Sequence, residues 1–259
     1  MTKILYANGD SFVAGMECLG HGDRRPENKE LAFPKHLAVA LESEQYINNA
    51  YSGSTNDFIF KRTVLDLQEL EKQGTNPADV FVLVGFTSLH RIELDGHRLF
   101  EEYTDIAGKP ISRTKGQNSN IPPDEYIDYG TAFITANNII LAKNKWGKTV
   151  NVANDIYPFC VKYLWTKPVQ HLSQQARTHA LHTLLTLKGY KHVILNTCSD
   201  EVEFPPGPNF FNPPPTFRSF YEYAINFYPD ERRDHNHFSP LPHAMYAEEL
   251  IKHVKANIL

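Results

Sequence analysis

The chain has 259 residues, a size at which folding removes roughly 70% of the unfolded surface from water, so a full core forms without disulfide or metal staples. Hydrophobic residues make up 41% and charged residues 22%, ordinary globular usage that excludes disordered, collagen-like and coiled-coil chains. Lys plus Arg number 26 against 30 Asp plus Glu, a net charge of −4 with no long basic block, which argues against a surface that tracks nucleic acid. In chain order, Lys3 to Asn8 is a short run with Ile4, Leu5, Tyr6 and Ala7 at its centre, closed by Gly9-Asp10; this is the pattern of a strand buried on both faces. Residues 30 to 42 place Phe33, Leu37, Ala40 and Leu41 at helical spacing, with Pro34 suited to the first turn. Gln45 to Tyr51 reads as a second strand leading into a turn at Ser52-Gly53-Ser54, and a helix follows from about Asn56 to Gln73 with Ile59, Thr63, Leu67 and Leu70 on one face. Asp79 to Gly85 is the clearest strand, a continuous apolar run.

Further on, residues 167 to 188 predict a helix on which Leu172, Ala176, His179, Thr183 and Leu187 recur, and His192 to Cys198 is a fourth strand after Gly189. Pro240 to Leu259 holds a final amphipathic helix with Met245, Leu250, Ile251 and Val254. Strands alternating with helices are the mark of parallel βαβ units. The expected fold is α/β, a three-layer α/β/α sandwich with a central parallel sheet, in a single domain over 1–259 with insertions at about 91–123 and 204–230. The first insertion alternates like a hairpin on Asp95-Gly96 (Ile92, Leu94, then Leu99). The second, Phe204 to Tyr228, holds nine aromatic residues where the chain-wide 12% predicts about three, together with Pro205, Pro206, Pro213, Pro214 and Pro215. Those aromatics suit either a small second core or a lined pocket.

The longest apolar runs are far short of the roughly 20 residues that span a bilayer, and the N-terminal stretch turns polar too soon for a signal peptide. A cytoplasmic protein that does not engage membrane is the expectation. Cys18, Cys160 and Cys198 are odd in number and far apart, which speaks against a disulfide framework and for buried thiols.

Chemistry-bearing residues fall at the two ends of the chain. Gly9-Asp10-Ser11-Phe12 lies just past the first strand, where open α/β sheets place their ligand crevice; the plain alternative is that Asp10 or Ser11 caps a following helix. Near the other end, Arg233-Asp234-His235-Asn236-His237-Phe238-Ser239-Pro240 sets a carboxylate three residues before a histidine, ahead of the last helix. Such a pair can meet on a tight loop, the carboxylate fixing the imidazole tautomer and stabilising its charged form. Ser11, Gly53, Thr87 and Cys198-Ser199-Asp200 each follow a predicted strand, so all converge on one crevice.

These blocks resemble those of the SGNH (GDSL-type) hydrolases, a likeness that touches both ends and about a third of the chain. Gly9-Asp10-Ser11-Phe12 is similar to the family's first block, and Asp234 with His237 to its last. Gly53, in Ala50-Tyr51-Ser52-Gly53-Ser54-Thr55-Asn56-Asp57, resembles the glycine of its second. The third block departs: the family has Gly-x-Asn-Asp, and this chain has Gly85-Phe86-Thr87-Ser88. The resemblance implies the flavodoxin-like strand order 2-1-3-4-5, although no fifth strand is evident in the sequence. It also implies a serine esterase or acylhydrolase acting through a covalent acyl-enzyme without a cofactor. In that mechanism Ser11 attacks an acyl carbonyl, His237 takes its proton and Asp234 orients the imidazole, while the N–H groups of Ser11 and Gly53 hold the oxyanion. For the missing asparagine, either Thr87 substitutes, Asn56 reaches in, or the site is slow; Asn56 is the preferred reading. Arg91 either binds a substrate anion or pairs with Glu93.

The implied substrate is a small acyl ester or an acetyl group on a carbohydrate, and the second and third blocks resemble those of phage-encoded members. Two other readings compete. Asp234, His235, His237 and His243 have metal-ligand character, which would suit a metal-dependent hydrolase. A non-catalytic binding module on the same fold would use the aromatic segment as its recognition surface.

Overall fold

A computed structural model describes residues 2–23, 25–89, 167–198, 204–214, 217–233 and 236–259, with the backbone of five short strands within 92–151. The elements are β1 (Ile4–Asn8), α1 (Phe33–Ala40), β2 (Gln45–Asn48), α2 (Asn56–Lys72), β3 (Val80–Phe86), β4 (Ile92–Asp95), β5 (Phe100–Thr104), β6 (Thr131–Ile134), β7 (Leu141–Asn144), β8 (Thr149–Asn151), α3 (Lys167–Lys188), β9 (Lys191–Asn196), β10 (Phe210–Phe211), α4 (Phe220–Phe227) and α5 (Pro240–Asn257). Contacts divide the chain into two compact units, Met1–Ser88 with Ser173–Leu259, and Leu89–Leu172.

The first unit is built on a five-stranded, all-parallel sheet in the order β10-β9-β3-β1-β2, the expected α/β architecture. Numbered by their order within this sheet, the strands run 2-1-3-4-5. The fifth is β10, two residues long, paired through Phe210 to Ile194 and Phe211 to Leu195. The central strand β3 is buried along all seven residues, because helices cover both sides.

Strand side chains alternate between faces, and the alternation sorts the layers. Leu5, Ala7, Phe81, Leu83, Val193 and Leu195 share a core with Phe33 and Leu37 of α1, Phe220 of α4, and Tyr246, Leu250 and Val254 of α5. On the opposite face, the Asn8 amide donates to the Ile59 carbonyl and the Thr63 hydroxyl of α2. Lys188 and Tyr190 bond Glu71, tying α2 to the end of α3 and the start of β9.

Three expectations from the pattern need correction. The buried face of α3 is Gln174, Thr178, Leu181 and Leu185, whereas Leu172 and Leu187 are 68% and 81% exposed. The face was hidden because its first turns bury polar side chains, the Gln174 amide donating to the Thr178 hydroxyl. On α2, Arg62 and Asp66 are buried beside Ile59, Thr63 and Leu67, so a charged pair sits on a side read as apolar. In the second unit β4 pairs antiparallel with β6, and β5 with β7, which also pairs with β8; the pairings do not run across Asp95-Gly96 as a local hairpin would. The insertion expected at about 91–123 falls within this unit.

Asp66 gathers the Tyr6 hydroxyl, the Asn49 amide and the Arg62 guanidinium, each at 2.7 Å, and so locks α2 onto β1 and the end of β2. Removing one member of a buried ion pair leaves the other charge uncompensated. Asp66→Ala is therefore expected to cost about 3–5 kcal/mol of stability, read by urea unfolding.

Two histidines are buried as neutral rings. His192 Nδ1 faces the Tyr190 carbonyl and must donate, which leaves its Nε2 to accept from His182 Nδ1; burial pushes its pKa down to about 4. Burial likewise pushes His243 down to about 3. The unfolded chain takes up protons at both near pH 6.5, while the native state does not until about pH 4. Stability thus falls as pH drops below about 6.5, by about 1.4 kcal/mol per pH unit for each histidine. Urea midpoints between pH 7.5 and 5 should follow that slope, with an uptake of about two protons on unfolding.

Candidate active site

The carboxyl ends of β1, β2, β3 and β9 lie on one side of the parallel sheet, and the chain leaving them brings Ser11, Gly53, Thr87 and Cys198 to that side. Beyond β1 the backbone must pass very close to β3. A Cβ on Gly9 would meet Val13 Cγ2 at 2.3 Å and the Gly85 carbonyl at 2.8 Å, and one on Gly85 would meet Val13 and Thr197 methyls at 2.5 and 2.6 Å. Only glycine fits either position.

No helix follows Asp10. The chain instead winds through successive turns, Ala14 N–H bonding the Asp10 carbonyl, Gly15 that of Phe12 and Met16 that of Ser11. Asp10 is fully buried and anchors these turns: Oδ1 accepts from the Phe12 N–H at 3.0 Å and Oδ2 from the Thr87 hydroxyl at 2.7 Å. This is the Asx-type bond two residues on that favours aspartate in tight turns. Ser11, held between Asp10 and Phe12, is 3% exposed.

Thr87 stands where the resemblance expects an asparagine, and its single hydroxyl proton goes to Asp10. Its oxygen therefore accepts from the thiol of Cys198, 3.1 Å away. Cys198 Sγ in turn accepts the Ser88 N–H at 3.0 Å. A hydrogen-bonded chain thus runs across the ends of β9, β3 and β1. Asn56, the N1 residue of α2, clamps the Thr87 peptide, donating to its carbonyl at 3.0 Å and accepting its N–H at 2.8 Å. Asn56 and Thr87 are brought together, with each engaged on the protein itself.

Gly53 sits in the turn after β2 with φ +82°, half-buried, with open space where a Cβ would be. The positive φ is what calls for glycine there. The β2 chain extends toward it past the formal strand end, Asn49 N–H bonding the Ala7 carbonyl and Tyr51 N–H that of Gly9.

His237 arrives from the loop before α5. That loop is tight: Arg233 N–H bonds the His237 carbonyl at 2.7 Å, and Ser239 N–H bonds that of Glu231. Arg232 donates to the Asn236 side chain, and the Ser239 hydroxyl to Glu231. Asn236 takes φ +65°, a conformation asparagine tolerates better than most residues. Ser239 also caps α5, with Pro240 in its first turn. The His237 ring lies 5.3 Å from the Phe12 ring, next in sequence to Ser11, and its Nδ1 lies 3.5 Å from Glu17 Oε2.

Asp234, His235, Arg91, Ser199 and Asp200 lie outside the described residues. Among the described residues, no group of three or more His, Cys, Asp or Glu side chains is placed to hold a metal ion. His243, the other histidine of the expected cluster, is buried between Phe220 and Phe33, its Nδ1 facing the Phe33 N–H at 3.4 Å. The aromatic segment packs inward. Phe204, Phe210, Phe211, Phe220 and Tyr223 are buried, Phe217, Tyr221 and Tyr228 pack against the core, and Phe227 is 51% exposed.

Sequence reasoning missed Glu17 and the Asp10–Thr87–Cys198 chain. Glu17 had no signal, being a lone acid within a turn. Asp10 and Thr87 had one, since both follow strands that a parallel sheet sets side by side.

If Thr87 serves Asp10, Thr87→Val is expected to cost about 1.5–3 kcal/mol in urea unfolding, the worth of a hydrogen bond to a charged group. Thr87→Ser, which keeps the hydroxyl, should lose less than half of that.

No family model, curated protein or solved structure matches the chain.

Proposed function

We propose that the protein is a serine hydrolase of the SGNH type, an esterase or deacylase that cleaves a small acyl ester or an acetyl group on a carbohydrate. The observation that carries this reading is the placement of His237 against Phe12 and Glu17, in the turn structure that begins at Ser11. Two residues from opposite ends of the chain, the serine and histidine of the resembled blocks, thereby belong to one local assembly at the carboxyl ends of the strands. Open α/β sheets bind ligands on that side.

In this mechanism the Ser11 hydroxyl gives its proton to His237 Nε2 as its oxygen bonds the acyl carbon. The leaving alcohol takes that proton as the tetrahedral adduct collapses to an acyl-enzyme. Water then attacks with His237 again as base, and its proton returns Ser11 to the free hydroxyl. The imidazole is oriented by a carboxylate at Nδ1, a role for which the resemblance offers Asp234. The N–H groups of Ser11 and Gly53 hold the oxyanion. The Thr87 hydroxyl proton is given to Asp10, so Thr87 does not replace the family's side-chain amide, while the Asn56 amide gives one N–H to the Thr87 carbonyl and retains a second. Loss of one such donor lowers turnover by roughly 10²–10³, and a slow enzyme is the expectation. No helix among the described residues is long and apolar enough to cross a membrane, in keeping with action on a small soluble substrate in the cytoplasm.

The test is hydrolysis of p-nitrophenyl acetate by the wild type and Ser11→Ala, with a fluorophosphonate probe mapped by mass spectrometry. Labelling at Ser11, with turnover abolished in the variant, is the expected result. A folded wild type that neither labels nor turns over would overturn the hydrolase reading, and a binding module on this fold would replace it.

A further inference from the structure

Glu17 combines two features that packing alone does not require. It takes φ +65°, a left-handed conformation that L-residues other than glycine adopt at a cost, and such outliers cluster at functional sites. Its side chain is 2% exposed, and a carboxylate withdrawn from water needs compensating partners. The turn around it is well bonded: Glu17 N–H bonds the Asp23 carbonyl, Gly20 N–H bonds that of Glu17, and Glu17 Oε1 accepts the Gly22 N–H at 3.0 Å. The second oxygen, Oε2, lies 3.5 Å from His237 Nδ1, within ion-pair reach.

We propose that Glu17 is a positioning residue for His237, its Oε2 accepting the Nδ1 proton so that the Nε2 lone pair is the base. The inference rests on the hydrolase reading for its catalytic meaning. A neutral imidazole has one N–H, and a carboxylate at Nδ1 selects the tautomer in which that N–H lies on Nδ1. When Nε2 takes the Ser11 proton, the Nδ1–H bond stays intact and the imidazolium gains a buried counter-charge. Among the described residues, the titratable groups that face His237 are Glu17 from the turns after β1 and His243 from α5. His243 is held neutral by burial and adds no charge.

Glu17→Gln separates a positioning role from a structural one. Its side-chain oxygen still accepts from Gly22, while a donor amide replaces the charge opposite Nδ1. Imidazole tautomer and titration are followed by two-dimensional NMR of ¹⁵N-histidine-labelled full-length protein, with His237→Gln to assign the resonance. The wild type should carry the proton on Nδ1. Glu17→Gln should move it to Nε2 and lower the His237 midpoint by roughly 1 unit. With p-nitrophenyl acetate, kcat should fall by about 10²–10⁴ with KM little changed and the thermal midpoint within a few degrees, the pattern of a tautomer defect. Asp234→Asn runs in parallel. An unchanged tautomer and midpoint in Glu17→Gln overturns the proposal, whatever Asp234→Asn does. Should Glu17→Gln not fold, Glu17→Asp retains the charge but draws it back by one methylene, and a His237 midpoint that does not move overturns the proposal equally. If the wild type shows no esterase activity, the hydrolase reading fails, while the NMR result still decides whether Glu17 holds His237.

Discussion

The arrangement at the carboxyl end of the sheet depends on one buried carboxylate. Asp10 has no contact with water, and a charge in that position persists only if its oxygens are bonded. One oxygen is satisfied by the Phe12 N–H, which curls the chain back at once and fixes Ser11 between them. The other is satisfied by Thr87, which draws the end of β3 toward the end of β1. The close approach is possible because Gly9 and Gly85 have no side chains to collide with Val13. Asn56 then holds the Thr87 peptide on both its donor and its acceptor, so the start of α2 is tied to the same point. Ser11, Thr87 and Asn56 are therefore tied to the same point.

Replacing the asparagine of the resembled third block by Thr87 changes more than one donor. A side-chain amide can bond the protein with one group and offer another to a ligand; a threonine hydroxyl has one proton. Once that proton is given to Asp10, Thr87 has only lone pairs left, and the Cys198 thiol takes one of them. The position has become structural, a link between β1, β3 and β9. The amide present nearby, Asn56, spends its oxygen and one N–H on the Thr87 peptide and retains a second N–H. In the proposed reaction, charge developing on a substrate oxygen meets backbone donors whose placement rests on the turn geometry around Ser11 and Gly53.

The parallel sheet was legible because β1, β3 and β9 are continuous apolar runs ended by polar or glycine residues, as strands covered on both faces must be. The start of α1 was legible from Pro34, which sits in its first turn. Helix faces were less so. On α2 and α3 the buried stripes include Arg62, Asp66, Gln174 and Thr178, polar groups made tolerable by partners that no local pattern announces. The fifth strand escaped notice because two residues, Phe210 and Phe211, carry no periodicity, and their pairing to β9 is set by the sheet edge rather than by propensity. In the candidate site, Ser11 and His237 could be read from their neighbours in sequence. Glu17 could not, since what distinguishes it is its backbone conformation and burial.

The aromatic segment shows why His237 stays near Ser11 although more than two hundred residues separate them in sequence. Phe220 lies at the centre of the cluster, 5.5 Å from Phe12, 5.9 Å from Phe238, and 4.6 Å from His243. Phe12 follows Ser11, Phe238 follows His237, and His243 lies on the buried face of α5. One ring thus touches the neighbours of both residues. Each ring in such a cluster buries a large apolar area and gains from tilted or edge-to-face geometry. Burial of that kind is non-directional and tolerates small shifts, so it can bring the His237 loop to the Ser11 turn without fixing the imidazole's rotation. Orientation must come from a polar group with a defined direction, and Glu17, bonded to the Gly22 N–H through Oε1 with Oε2 3.5 Å from Nδ1, is placed to supply it.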